Sequence, residues 1–109
     1  MAFAYQILGQ TSVAATTNTD LYTVPASTSA IVSTLVICNQ NASAISYRVA
    51  ARKNGAVLTG AHYIVYNSTI PANDTVTLSM GMSLAATDII TVYANTASVS
   101  FTMFGTQVT

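Results

Sequence analysis

Apolar and polar residues alternate in short runs along nearly the whole chain, and clusters of Pro, Gly, Asn, Ser and Thr close the runs. A period of two is what a strand needs to bury one face, because successive side chains on an extended backbone point to opposite sides. Phe3, Tyr5 and Ile7 alternate with Ala4, Gln6 and Leu8, which predicts a first strand within residues 1–10. A Thr/Asn-rich connection from Thr16 to Asp20 leads to a short strand over Leu21 to Val24. Pro25 stops it, since a residue without an N–H is excluded from the interior of a ladder. The run Ala30 to Asn39 (AIVSTLVICN) is β-branched and apolar on both faces, and predicts a central strand covered on two sides.

The second half continues the pattern. Asn39-Gln-Asn-Ala-Ser43 predicts a turn whose side chains bond their own backbone. In the strand Ala44 to Lys53, Ile45, Tyr47, Val49 and Ala51 share one face. Ser46, Arg48, Ala50 and Arg52 share the other, so both arginines lie side by side on an exposed or partner-facing surface. Asn54-Gly55 predicts a tight turn because both residues tolerate positive φ. His62 to Ser68 alternates again, with His62, Ile64 and Tyr66 opposed to Tyr63 and Val65, and Pro71 to Asp74 breaks it. Val76, Leu78 and Met80 then alternate with Thr75, Thr77 and Ser79. Ser83 to Asp88 is a connection with room for one helical turn, followed by a strand over Ile89 to Ala94. A last strand sets Val99, Phe101 and Met103 against Ser100, Thr102 and Phe104, and Gly105 ends it.

No stretch of a dozen residues carries an apolar face at helical spacing. About eight strands separated by turn signals predict a single all-β domain over residues 1–109. Its expected form is a two-sheet antiparallel β-sandwich of Greek-key or jelly-roll type. A short internal echo fits two related halves. Pro25-Ala and Pro71-Ala each lead into a strand, and Asn41-Ala-Ser-Ala-Ile-Ser-Tyr47 resembles Asn95-Thr-Ala-Ser-Val-Ser-Phe101.

Composition narrows the function. Charged residues are 6% of the 109, hydrophobic ones 51%, and the formal net charge is zero, against roughly 25% charged in an ordinary soluble protein. With three basic residues there is no footprint for a nucleic-acid backbone, and a mean hydropathy of +0.51 argues against disorder. The longest apolar run, Ala30 to Cys38, falls far short of the ~20 residues of a membrane helix. The N-terminal residues lack the basic region of a secretory leader, which predicts a chain that stays where it is made. Cys38, the only cysteine, is expected to pack as a small hydrophobe.

Catalytic groups are scarce. His62 is alone, whereas zinc or copper takes three or four N, S or O donors. Asp20, Asp74 and Asp88 are predicted at loop or turn positions, where a carboxylate accepts nearby backbone N–H groups. Glycines are scattered, with no phosphate-cradling loop. These residues predict no catalytic, metal or cofactor site and argue against an enzyme. So little charge also leaves little repulsion between copies, which favours a surface partly covered by copies or partners. Most of the six tyrosines alternate as core residues would. The candidate interface residues are His62, Tyr63 and Tyr66, together with Arg48 and Arg52, which would meet either a partner carboxylate or solvent.

The ordered set Leu21-Tyr-Thr-Val-Pro-Ala26, Val36-Ile-Cys-Asn39, Tyr47-Arg-Val-Ala50, His62-Tyr-Ile-Val-Tyr66, Ile70-Pro-Ala-Asn-Asp-Thr75, Leu84-Ala-Ala-Thr-Asp88 and Val92-Tyr-Ala94 resembles a group of small virion proteins of tailed bacteriophages, familiar from cyanophages and other aquatic phages. The resemblance runs from about Leu21 to Gly105 and carries no catalytic motif. It implies a β-sandwich made in the host cytoplasm and docked on the capsid exterior. There it would act as a homotrimeric decoration, or cement, protein against the major capsid protein, with no direct nucleic-acid or membrane partner. Similar sandwiches serve as tail, baseplate or fibre modules. In that setting Tyr63, Tyr66 and the loops would stack on host-surface glycans.

Overall fold

Eight strands carry the chain: β1 (Phe3–Ser12), β2 (Thr19–Thr23), β3 (Ser29–Asn39), β4 (Ile45–Arg52), β5 (Tyr63–Ile70), β6 (Thr75–Leu84), β7 (Ile89–Ala94) and β8 (Val99–Val108). The structure is a computed structural model that describes residues 2–109 and every side chain among them except that of Met80. Met1, part of the first predicted strand, and the Met80 side chain, part of a predicted apolar row, lie outside the described residues.

The strands form two four-stranded sheets, in the orders β1-β8-β3-β6 and β2-β7-β4-β5. Pairing is antiparallel and nested: β1 with β8, β2 with β7, β3 with β6, β4 with β5. The chain is therefore one long hairpin with its tip at the β4–β5 connection, folded over so that successive strands within each arm enter opposite sheets. The β3–β8 and β4–β7 pairs lock the fold, and the result is the jelly-roll form of the predicted sandwich. The echo between Asn41–Tyr47 and Asn95–Phe101 follows this path. A shift of four strands carries β3–β4 onto β7–β8, and the same shift maps one sheet order onto the other. Pro25-Ala and Pro71-Ala are related by three strands and fit no symmetry of the fold.

Alternating rows fill the space between the sheets. Val32, Leu35 and Ile37 of β3 and Val99, Phe101 and Met103 of β8 face Ile45, Tyr47 and Val49 of β4 and Ile90, Val92 and Ala94 of β7, none more than 3% exposed. Burial of that apolar area is the main driving force for the fold. Bulges reset the alternation. Against β8, Ser33 is extra between Val32 and Thr34, which lets Val32 and Leu35 both point inward. Leu8 is extra between Ile7 and Gly9, so Leu8 packs against the core. Beside these bulges the neighbouring backbone comes so close that a Cβ at Gly9 or Gly105 would collide with the carbonyl oxygen of Leu21 or Ile31.

The structure corrects several expectations. β8 runs through Gly105 to Val108, because the glycine accommodates a close approach and does not end the strand. β6 reaches Leu84, and Ala85 to Asp88 is a tight turn closed by Asp88 N–H to Ala85 O at 3.2 Å, with no helical turn. Asn54 and Gly55 take φ of 56° and 66°, and Ala56 N–H bonds Lys53 O at 3.1 Å, the geometry of a type I′ turn. That turn opens a longer connection, residues 53–62, with 3₁₀ turns at Lys53–Gly55 and Gly60–His62. β3 is central, between β8 and β6, but covered on one side only. Its outer row leaves Ile31 49% exposed and Cys38 half-buried, since among the described residues no third layer covers that face.

Candidate functional site

The two sheets differ sharply in charge. β1, β3, β6 and β8 contain no Asp, Glu, Lys, Arg or His, and every ionisable side chain of those kinds lies in the other sheet or in a connection.

On the outer face of the uncharged sheet, Phe3, Tyr5 and Ile7 of β1 stand in solvent at 60%, 82% and 52% exposure. The register sets Val108, Thr106 and Phe104 of β8 beside them, and Ile31 of β3 beside Thr106. Phe104 is also exposed. An antiparallel sheet with one wet face ordinarily turns polar residues outward. This one presents an apolar patch on the order of 500 Å², as large as any that a monomer commonly exposes. The sequence pattern missed it for a specific reason. The Phe3/Tyr5/Ile7 row outweighs Ala4, Gln6 and Leu8 in hydrophobicity, so alternation alone turns the wrong row inward.

The other sheet bears a polar and aromatic layer. Arg48, Tyr66 and Tyr93 are paired across β5, β4 and β7. The Arg48 guanidinium carbon lies 4.4 Å from the Tyr66 ring centroid and 4.3 Å from that of Tyr93. Arg48 Nε donates to Asn67 Oδ1 at 2.7 Å. Tyr63 meets Tyr66 edge-to-face, with centroids 4.9 Å apart at 78°. The alternation places those two tyrosines on opposite faces. A bulge at Ile64 brings them to the same one.

Arg52 shares the Arg48 face, as predicted, and holds the fold together from there. Its Nη1 donates to Asp20 Oδ1 at 3.0 Å and Thr91 Oγ1 at 3.1 Å, Nε to Ala56 O at 2.8 Å, and Nη2 to Gly55 O at 3.3 Å. Its carboxylate partner is therefore internal. Asp20 belongs to β2 and not to the preceding loop. His62 lies in a 3₁₀ turn and not on the strand face, where its Nδ1 accepts the Thr59 N–H at 3.0 Å and closes that turn. The tyrosines also depart from expectation: only Tyr22 and Tyr47 enter the core, because the outer faces of both sheets take the rest. Burial pushes the Tyr47 hydroxyl above the usual tyrosine range.

The remaining carboxylates serve turns, as predicted. Asp74 Oδ1 accepts Thr75 N–H at 2.8 Å. Asp88 accepts Asn54 N–H at 2.8 Å and Ala85 N–H at 2.9 Å. Partial burial pushes the Asp88 carboxyl upward, but these two N–H bonds and the Lys53 charge outweigh it and hold the carboxyl below its ordinary value. Among the described residues no group of three His, Cys, Asp or Glu could hold a metal ion. A shallow cleft of about 260 Å³ between Arg52, Lys53, Ser83 and Asp88 offers one acid, and that acid is committed to backbone N–H groups. Compared with known proteins, the chain matches no protein-family model and no curated protein sequence.

Proposed function

We propose that the chain is a decoration protein of a tailed-phage capsid. It docks its uncharged sheet on the shell exterior, where neighbouring major capsid subunits meet, and stabilises the shell without catalysis. The observation that supports this reading is the exposed row of Phe3, Tyr5, Ile7, Ile31 and Phe104 on a sheet without one Asp, Glu, Lys, Arg or His. Covering that patch gains about 12 kcal/mol gross at ~25 cal/mol per Å². Association costs take back about 4–15 kcal/mol. One copy thus holds weakly, and the stabilisation of a shell comes from the number of copies. Removing the protein from virions should lower their resistance to heat and to low salt, and re-adding it should restore both. Stripped particles as robust as intact ones would end this reading.

Tyr66, 58% exposed beside Tyr63 and Arg48, favours a second reading, a tail or fibre module that stacks a tyrosine ring on a host-surface sugar. Copy number per virion separates the two. Hundreds fit the capsid, whereas tens or fewer, with host-polysaccharide binding lost in Tyr66→Ala, fit the tail.

A further inference from the structure

β1 is an edge strand: it pairs with β8 on one side, and among the described residues no strand pairs with its other side. Natural edges are blunted by Lys, Pro, bulges or short length, and the one bulge of β1, at Leu8, leaves its first five residues unprotected. β1 is ten residues long, FAYQILGQTS, with neither charge nor proline. Its direction of bonding is fixed at the terminus, where Ala2 and Thr109 exchange both N–H···O bonds at 2.9 Å. Antiparallel pairs alternate between bonded and non-bonded, so Ala4 and Gln6 bond β8, while the N–H and C=O groups of Phe3, Tyr5 and Ile7 point to the open edge. The three residues with unpaired backbone groups are thus the three whose apolar side chains stand in solvent.

We infer that this edge pairs with a second copy of the chain, β1 against β1 about a two-fold axis through Tyr5, in the register that sets Phe3 opposite the partner's Ile7 and Tyr5 opposite the partner's Tyr5. In that register the Phe3–Ile7 and Tyr5–Tyr5 pairs each exchange two backbone bonds, and the large apolar side chains of both β1 strands meet on one face. A slip of two residues leaves one of them unpaired. The Leu8 bulge ends the pairing beyond Ile7. A second copy suits the edge because neither strand carries charge, so nothing repels and no ionic group is desolvated. β6, the other edge of this sheet, turns Thr75, Thr77, Ser79 and Ser83 outward and offers no such row. Phe3, Tyr5 and Ile7 supply on the order of 350 Å² per copy, against roughly 800 Å² per partner in a standard interface, which places the dimer in the weak class. The inference does not rest on the capsid proposal, since it concerns the free chain and replaces the trimer implied by resemblance with a dimer; because both draw on Phe3, Tyr5 and Ile7, docking on a shell would compete with the β1–β1 contact.

Sedimentation of the full chain from about 1 to about 500 µM tests it. The expected mass moves from 11.3 kDa toward twice that value as concentration rises. Tyr5→Lys sets two ammonium groups together at the axis and should need at least a ten-fold higher concentration to associate. Its thermal melt should match that of the native chain, because Tyr5 is 82% exposed. Thr77→Lys, on the β6 edge, should leave association unchanged. In a Cys38→Ser background, Tyr5→Cys should cross-link on mild oxidation and Thr77→Cys should not, because facing Cα atoms of a bonded pair lie ~5.5 Å apart, within disulfide reach. A chain that stays single at the top of the range, a trimer, a Tyr5→Lys variant that associates like the native chain, or a Tyr5→Cys dimer that fails to cross-link would each overturn the inference. Dimerisation with unchanged virion stability would keep it and remove the capsid proposal.

Discussion

Asp88 joins three connections at one end of the sandwich. Its carboxylate accepts N–H groups from Asn54 and Ala85, and its own carbonyl accepts Val24 N–H at 3.0 Å. With its carboxyl held below the ordinary value in the folded chain, the unfolded chain binds the proton more readily. The stabilisation is complete above the unfolded value near 4 and is lost as pH falls through the lower folded value. Asp88→Asn should therefore melt a few degrees below the native chain at pH 7, with the gap closing toward pH 2 in melts across that range. A constant gap would mean the carboxylate charge contributes nothing. That an Asp here serves a turn was legible, since Thr-Asp before a β-branched run is a local signal. Asn39 was only half legible. Its Oδ1 accepts Asn41 N–H at 2.9 Å, the local turn expected of it, but its Nδ2 also donates to Ile70 O at 3.2 Å and Pro71 O at 3.0 Å across the molecule. It is 1% exposed, and no local pattern announces a bond to a strand so distant in sequence.

Strands were legible as elements, because their inner rows keep period two wherever the pairing is regular. β4 and β7 show this, with Tyr47 and Val49 inside and Arg48 and Arg52 outside, as predicted. Bulges were not legible. An extra residue is chosen by pairing with the neighbouring strand, so Ser33, Leu8 and Ile64 look like ordinary strand residues while each reverses the faces beyond it. The Ile64 bulge has an energetic consequence. By bringing Tyr63 beside Tyr66 it builds up the aromatic layer around Arg48, which in turn ties β5, β4 and β7 together on the outer face. A planar guanidinium stacks between two rings and bonds Asn67 at once, and an ammonium reproduces neither contact well. Arg48→Lys should cost about 1 kcal/mol and Arg48→Ala about 2 in urea unfolding. Equal stability of native and Lys chains would mean that the planar group adds nothing beyond its charge.

At the scale of the whole molecule, the Asp, Lys, Arg and His side chains are confined to one sheet and the connections, while the other sheet carries no acidic or basic side chain. The low charge content was plain in the sequence. Its segregation was not, because it depends on which strands share a sheet, and nested pairing draws β1, β3, β6 and β8 together from the whole length of the chain. Segregation makes salt a test of which surface meets neighbours. Contacts led by Arg48 or Arg52 would weaken as salt shortens the Debye length from about 14 Å at 0.05 M to about 3 Å at 1 M. Contacts through the neutral sheet have no Coulomb component to screen, and sulfate strengthens apolar burial by exclusion from the protein surface. Self-association measured in 0.05 M and 1 M NaCl should therefore agree within about two-fold, and ammonium sulfate at equal ionic strength should tighten it. A ten-fold loss in NaCl would move the contact to the arginine face, where Arg48 lies between its two tyrosines and Arg52 holds Asp20 at 3.0 Å. Any partner recruited there would have to compete with interactions the fold already uses.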